Sequence, residues 1–141
     1  MRFWDASALV PLLVRQNASL RMRAQYRSDP VVAAWWGSRV ECESAISRLE
    51  REGLLESRSA AAARQRLDRF AAGWHEVQPV DPVRDGARRL LRVHDLRVAD
   101  SLQLAAALAA CEGRPASLEF VCLDDRLAAA AQCEGCPVLT R

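Results

Sequence analysis

Four acidic side chains stand out for where they fall: Asp5 in FWDASAL, Glu41 in VECESAI, Asp100 in VADSLQLAAA and Asp124 in FVCLDDRLAAAA. Three of them sit where a short apolar run gives way to an Ala/Leu-rich helical pattern. Carboxylates at such junctions converge at one edge of a parallel sheet when the apolar runs are its strands. Two like charges ~4 Å apart repel by about 4 kcal/mol at an effective dielectric of 20. Such a cluster protonates, shifts its pKa values or takes up a cation. Hard carboxylate oxygens suit Mg²⁺ or Mn²⁺. A metal held this way polarises a phosphoryl oxygen and lowers the pKa of an attacking water. The chemistry expected from these residues is therefore metal-dependent attack on a phosphodiester. No P-loop, GxSxG or GxGxxG offers a competing chemistry. His75 and His94 lie outside any such motif and receive no role.

Each acid also has a plainer use. Asp is a favoured helix N-cap, worth about 1 kcal/mol. Asp5 and Asp124 each precede a helical pattern, and Asp100 with Gln103 forms a capping-box-like pair. Capping and metal binding are compatible, because a cap at a strand's carboxyl end still points into the cleft. Glu41 and Glu43 lie on opposite flanks of a Cys42/Ile46/Leu49 stripe, and helical geometry does not choose between them. Glu50, Glu52, Asp68, Asp81, Asp85, Asp95 and Glu112 read as solvated faces and helix-end charges.

The elements that must position these acids alternate. Strands are expected at Arg2–Asp5, Pro30–Trp36, His75–Val80, Leu118–Leu123 and Pro137–Thr140. Helices are expected at Ala6–Gln16, Ala18–Ser28, Ser38–Glu52 (ended by Gly53), Glu56–Trp74, Val83–His94, Ala99–Cys111 and Asp125–Cys133. Short apolar runs alternating with helices predict a three-layer α/β/α sandwich around a mostly parallel sheet. In open α/β sheets, ligands bind beyond the carboxyl ends of the strands. Asp5 and Asp124 fall at such ends.

At 141 residues the chain is expected to be one domain, 1–141, able to bury roughly 68–70% of its unfolded surface. A net charge of +2 gives no global basic bias towards nucleic acid, although all 20 basic residues are Arg, the better bidentate phosphate ligand. The apolar stretch Ala6–Val14 is interrupted by Pro11 and followed by no small-residue cleavage site, so it does not read as a signal peptide. No segment reaches the ~18 consecutive apolar residues of a membrane span. The expectation is a soluble, cytoplasmic protein with no membrane partner. Five irregularly spaced cysteines argue against a disulfide framework. The CxxC at Cys133–Cys136 is placed to close a helix rather than open one, so it reads as a fortuitous turn.

On these residues the chain resembles PIN-domain proteins, in particular the ribonuclease toxins of VapBC-type toxin–antitoxin modules. Phe3-Trp4-Asp5-Ala6-Ser7-Ala8-Leu9-Val10 is similar to the family's first motif, an Asp ending strand one with a hydroxyl residue two positions on. Glu41-Cys42-Glu43-Ser44-Ala45-Ile46 is similar to its helical Glu motif and selects Glu41 over Glu43. Leu96–Ala105 resembles the third motif and Phe120–Leu127 the fourth, with one departure: Cys122 stands where a hydroxyl residue is common. The resemblance covers essentially the whole chain. It implies a Mg²⁺- or Mn²⁺-dependent endoribonuclease with a three-layer α/β/α fold. It also implies an acidic site of Asp5, Glu41, Asp100 and Asp124, with Asp5 and Asp100 foremost as direct or water-mediated metal ligands and Ser7 supporting Asp5 and a water. A homodimer and a small antitoxin masking the cleft are implied as partners of the RNA-cleaving chain.

Arg15, Arg97 and Arg126 each lie near a motif and are candidates to rim the site against RNA. Trp35 and Trp36, adjacent in a strand, face opposite sides; one is expected in the core. The helices over 18–28 and 56–74 offer a groove wall for a partner helix. Two other readings remain at this level: a PIN-fold nuclease of RNA processing without an antitoxin, and a non-catalytic α/β binding protein whose Asp residues only cap helices.

Overall fold

The computed structural model describes residues 1–139. Its strands are β1 (Arg2–Trp4), β2 (Val32–Trp35), β3 (His75–Val77), β4 (Glu119–Val121) and β5 (Val138–Leu139). Its helices are α1 (Ala6–Leu13), α2 (Ser19–Ser28), α3 (Ser38–Arg51), α4 (Ser57–Ala71), α5 (Asp81–Val93), α6 (Val98–Ala110) and α7 (Asp125–Cys133). A 3-10 turn at Pro115–Ser117, not expected from the sequence, leads into β4. Of the last expected strand, Thr140 lies outside the described residues.

All pairings among the described strands are parallel, in the order β3-β2-β1-β4-β5. The chain therefore winds outward from β1 to β3, then returns to the other side of β1 and winds outward again. The winding reverses between β1 and β4, and such a switch point leaves a crevice at the carboxyl ends of the two strands. Asp5 and Asp124 follow those two strands.

Alternation along the strands separates two apolar layers. Phe3, Ala33, Trp35 and Phe120 face one side, where they pack with Val83, Ala87 and Leu90 of α5, Leu104 of α6 and Leu127 of α7. Trp4, Val32, Ala34 and Val121 face the other, with Leu9 of α1, Met22 of α2, Ile46 of α3 and Leu67 of α4. Phe3 and Phe120 pair in register across β1 and β4, their rings stacked at 5.5 Å. This locks together the two strands that carry the crevice. The expected sandwich is thus observed, with α1–α4 on one face and α5–α7 on the other.

Differences from the expected boundaries have local causes. α1 stops at Leu13 rather than Gln16 because Ser19 closes the next turn. Its Oγ accepts from Gln16 N at 2.8 Å and donates to Val14 O at 3.1 Å. α5 starts at Asp81 rather than Val83, since Pro82 fits a first turn, where its missing N–H is no loss. Trp35 is the core member of its pair and Trp36 is half exposed. Gly37 lies under the Trp35 indole; a Cβ there would stand 2.5 Å from Nε1. Cys133 is exposed at the end of α7 while Cys136 is buried, and among the described residues all five cysteines are free thiols. The CxxC spans the end of α7 and the Gly135 turn. None of the described helices is long and apolar enough to cross a membrane.

Candidate active site

Asp5 leaves β1 in an extended conformation and caps α1, accepting from Ser7 N at 2.9 Å. Its side chain is only 4% exposed. The Ser7 hydroxyl donates to the same carboxylate oxygen, Oδ2, and accepts from Leu123 N at 2.9 Å. Ser7 thereby ties the end of β1 to the end of β4, across the switch point. Burial raises the Asp5 pKa above the usual carboxylate range against the opposing Ser7 hydrogen bonds, and the charge of Asp100 raises it further.

Glu41 sits in the first turn of α3, and its Oε1 accepts from Gln103 Nε2 of α6 at 3.0 Å. Its pKa is raised to about 7, mainly by burial, then by the charge of Asp5 and, less, of Asp100. Glu43 points elsewhere: its Oε1 takes 2.7 Å and 2.9 Å hydrogen bonds from Arg64 and Ser47 on the α3–α4 surface. Arg64, twenty-one positions beyond Glu43, thus holds Glu43 on the α3–α4 surface, while Glu41 faces Gln103.

Asp100 corrects an expectation. It is not the cap of α6 but lies in its first turn, where Oδ2 accepts from Arg97 N at 3.4 Å. Arg97 holds the cap position. Gln103, expected as its capping partner, is fully buried and turned to Ser38 and Glu41. Burial raises the Asp100 pKa, and the charge of Asp124 adds to it. Asp124, exposed after β4, caps α7 through Leu127 N at 2.8 Å. Cys122, the departure in the fourth motif, acts as an acceptor here. Its Sγ receives Asp124 N at 3.3 Å and lies 3.8 Å from Asp5 Oδ2.

The four acids are therefore electrostatic neighbours. The charge of Asp100 acts on Asp5, those of Asp5 and Asp100 act on Glu41, and that of Asp124 acts on Asp100. Among the described residues, no three His, Cys, Asp or Glu side chains are drawn together as a ready-made metal cage. The donor chemistry nonetheless suits a hard divalent cation: oxygen ligands only, on partly desolvated groups whose charges oppose one another. Two open clefts meet here. One, of about 520 Å³, is lined by Ser7, Glu41, Ser44, Arg48 and Arg97 among others. The second, of about 560 Å³, is lined by Arg97, Asp100, Leu123, Asp124, Asp125 and Arg126. Arg97 and Arg126 are thus at the acids as anticipated. Arg15 lines a separate depression with Arg23 and Asn17. Arg48 carries no distinguishing signal in the sequence, where it is one of many arginines on a polar helix face.

No protein-family model matches the chain. Two curated relatives from Mycobacterium tuberculosis, ribonuclease VapC45 (strain CDC 1551 / Oshkosh) and ribonuclease VapC49 (strain ATCC 25618 / H37Rv), are each 31% identical to it over 136 residues. Each alignment spans 96% of this chain and 92% of the relative. Among solved structures, FitAcB from Neisseria gonorrhoeae superposes with a TM-score of 0.66 at 17% identity, covering 99% of this chain and 96% of that one. FitAB bound to an IR36 DNA fragment gives 0.67 at 16% identity, covering 99% and 94%. These two show a shared fold, the PIN fold. By 31% identity over nearly the full length of two such ribonucleases, and by its fold, the chain belongs to the VapC ribonuclease family.

Proposed function

We propose that the protein is the toxin of a VapBC-type pair, an endoribonuclease that uses Mg²⁺ or Mn²⁺ at the β1/β4 switch point. One observation carries the site: burial raises the pKa values of Asp5, Glu41 and Asp100, and the charges of neighbouring acids raise each further, Asp100 acting on Asp5, Asp5 and Asp100 on Glu41, and Asp124 on Asp100. Asp5, Glu41, Asp100 and Asp124 would hold the metal, with Asp5 and Asp100 foremost. When bound, the ion supplies Lewis acidity and a more acidic water. The chain's own residues do the rest. Ser7 fixes the Asp5 carboxylate through two donors on one oxygen. Cys122 and Leu127 fix the start of α7, and with it Asp124. Arg97, shared by the two clefts, supplies a guanidinium for RNA phosphates on either side of the acids.

The partners follow the same reading. The FitAB assembly, solved on DNA, supports a partner antitoxin, and an antitoxin Arg placed among the carboxylates would replace the metal's charge. A 230 Å³ apolar groove formed by Leu12, Leu13, Arg23, Tyr26, Arg66 and Phe70 fits the anticipated helix-binding wall between α2 and α4. Exposed Trp36, Val80 and Val98 offer apolar surface for a homodimer. Free thiols suit a reducing cytoplasm, where the RNA substrate resides.

The test is Asp5→Asn and Asp100→Asn. Asn keeps most of the cap that Asp5 gives α1, and at Asp100 an Asn side-chain oxygen can still accept from Arg97 N, so both variants fold. Loss of RNA cleavage and of Mn²⁺ binding in both supports the site; undiminished cleavage by either, freed of antitoxin, removes it.

A further inference from the structure

Gln103 is a polar side chain with no solvent contact in a helix that is otherwise small and apolar on its inner face. A buried amide without partners is costly, so its placement has to be matched. Its Nε2 donates to Ser38 Oγ at 3.0 Å and to Glu41 Oε1 at 3.0 Å, and the Ser38 hydroxyl lies 3.4 Å from its Oε1. Both α3 residues are thus gripped by one α6 side chain, one turn past Asp100. The amide is turned with its NH2 group toward Glu41 and Ser38, so that one nitrogen serves both α3 acceptors.

Resting on the site proposed above, we infer that Gln103 is a positioning residue for the reaction, holding the Glu41 carboxylate of α3 in register with Asp100 of α6 from beneath the cleft. Glu41 has two methylenes between backbone and carboxyl and faces a cleft open to water. The Gln103 bond removes that freedom at one oxygen and leaves the other directed by consequence. The span matters because the acids come from two different layers of the fold: Glu41 from the α3 layer, Asp100 from the α6 layer. Gln103 is the described hydrogen-bonding side chain that joins those two helices at the site.

Gln103→Leu keeps the bulk and removes the donors. In the full-length chain, with a fluorogenic single-stranded RNA and Mn²⁺, kcat falls about 10- to 100-fold, the scale of a misplaced group, while KM stays within about threefold. In a Glu41→Gln background the same change adds less than about twofold, because the two act as a unit. Ile46→Val, which loosens α3 without touching Glu41, lowers stability but not turnover per folded molecule. Wild-type kcat in Gln103→Leu, or an equal drop in both backgrounds, overturns the inference. Wild-type kcat in Glu41→Gln instead overturns the site itself. Should Gln103→Leu not fold, the wild-type chain still decides. The Gln103 side-chain amide protons, read by NMR, are protected from exchange and move on Glu41→Gln; unmoved resonances contradict the role.

Discussion

Replacing Glu41 by Gln should stabilise the metal-free protein at alkaline pH while sharply lowering, but not abolishing, its activity. The Glu41 pKa lies at about 7 against an ordinary 4.5, with burial the first cause and the Asp5 charge the second. The folded state therefore holds this proton more tightly than the unfolded chain. Its contribution is fully present below about pH 4.5 and is lost as pH rises through about 7. The full difference corresponds to about 3 kcal/mol. Glu41 is partly exposed, and solvent screening reduces this to about 1–2 kcal/mol. Gln keeps an oxygen to accept from Gln103, so the variant escapes the charge without losing the bond. Urea unfolding in EDTA at pH 5 and pH 8 reads the effect. The variant gains about 1–2 kcal/mol at pH 8, equivalent to a few degrees in Tm, and much less at pH 5. Added Mn²⁺ reverses the order, since a ligand of the folded state alone stabilises the chain that binds it better. Equal stability at pH 8, or a difference that ignores pH, refutes the reasoning.

Three further outcomes follow from named contacts. Ser7→Ala removes a donor to Asp5 and the acceptor for Leu123 N, and costs about 1–3 kcal/mol in chemical denaturation, with cleavage falling alongside. Gly37→Ala drives a Cβ into the Trp35 indole and costs about 1–3 kcal/mol by the same assay, with turnover per folded molecule unchanged. Arg97→Ala raises KM for RNA more than it lowers kcat, and flattens the salt dependence of binding measured by fluorescence anisotropy.

Each strand and helix expected from hydrophobic period and turn residues is present in the structure, because those signals are local. The junction acids Asp5 and Asp124 were legible for the same reason: a strand end and a helix start meet at one residue. What local pattern did not carry was set by distant partners. Glu41 and Glu43 were equivalent on a helical wheel until Arg64 of α4 engaged one of them. Asp100 looked like a cap beside Gln103, but burial of Gln103 against α3 turned the pair apart. α1 ended early because of a serine in the next helix. The bond from Asp124 N to Cys122 Sγ is local, two positions apart, but the approach of Cys122 to Asp5 depends on the pairing of β1 with β4.

The most direct test of the site is a crystal of the antitoxin-free protein soaked in Mn²⁺ and read for anomalous density. The account predicts a peak at the β1/β4 switch point, ligated directly or through water by Asp5 and Asp100, and its loss in Asp100→Asn. Saturating Mn²⁺ with no peak there, in crystals whose dissolved protein still cleaves RNA, would contradict it.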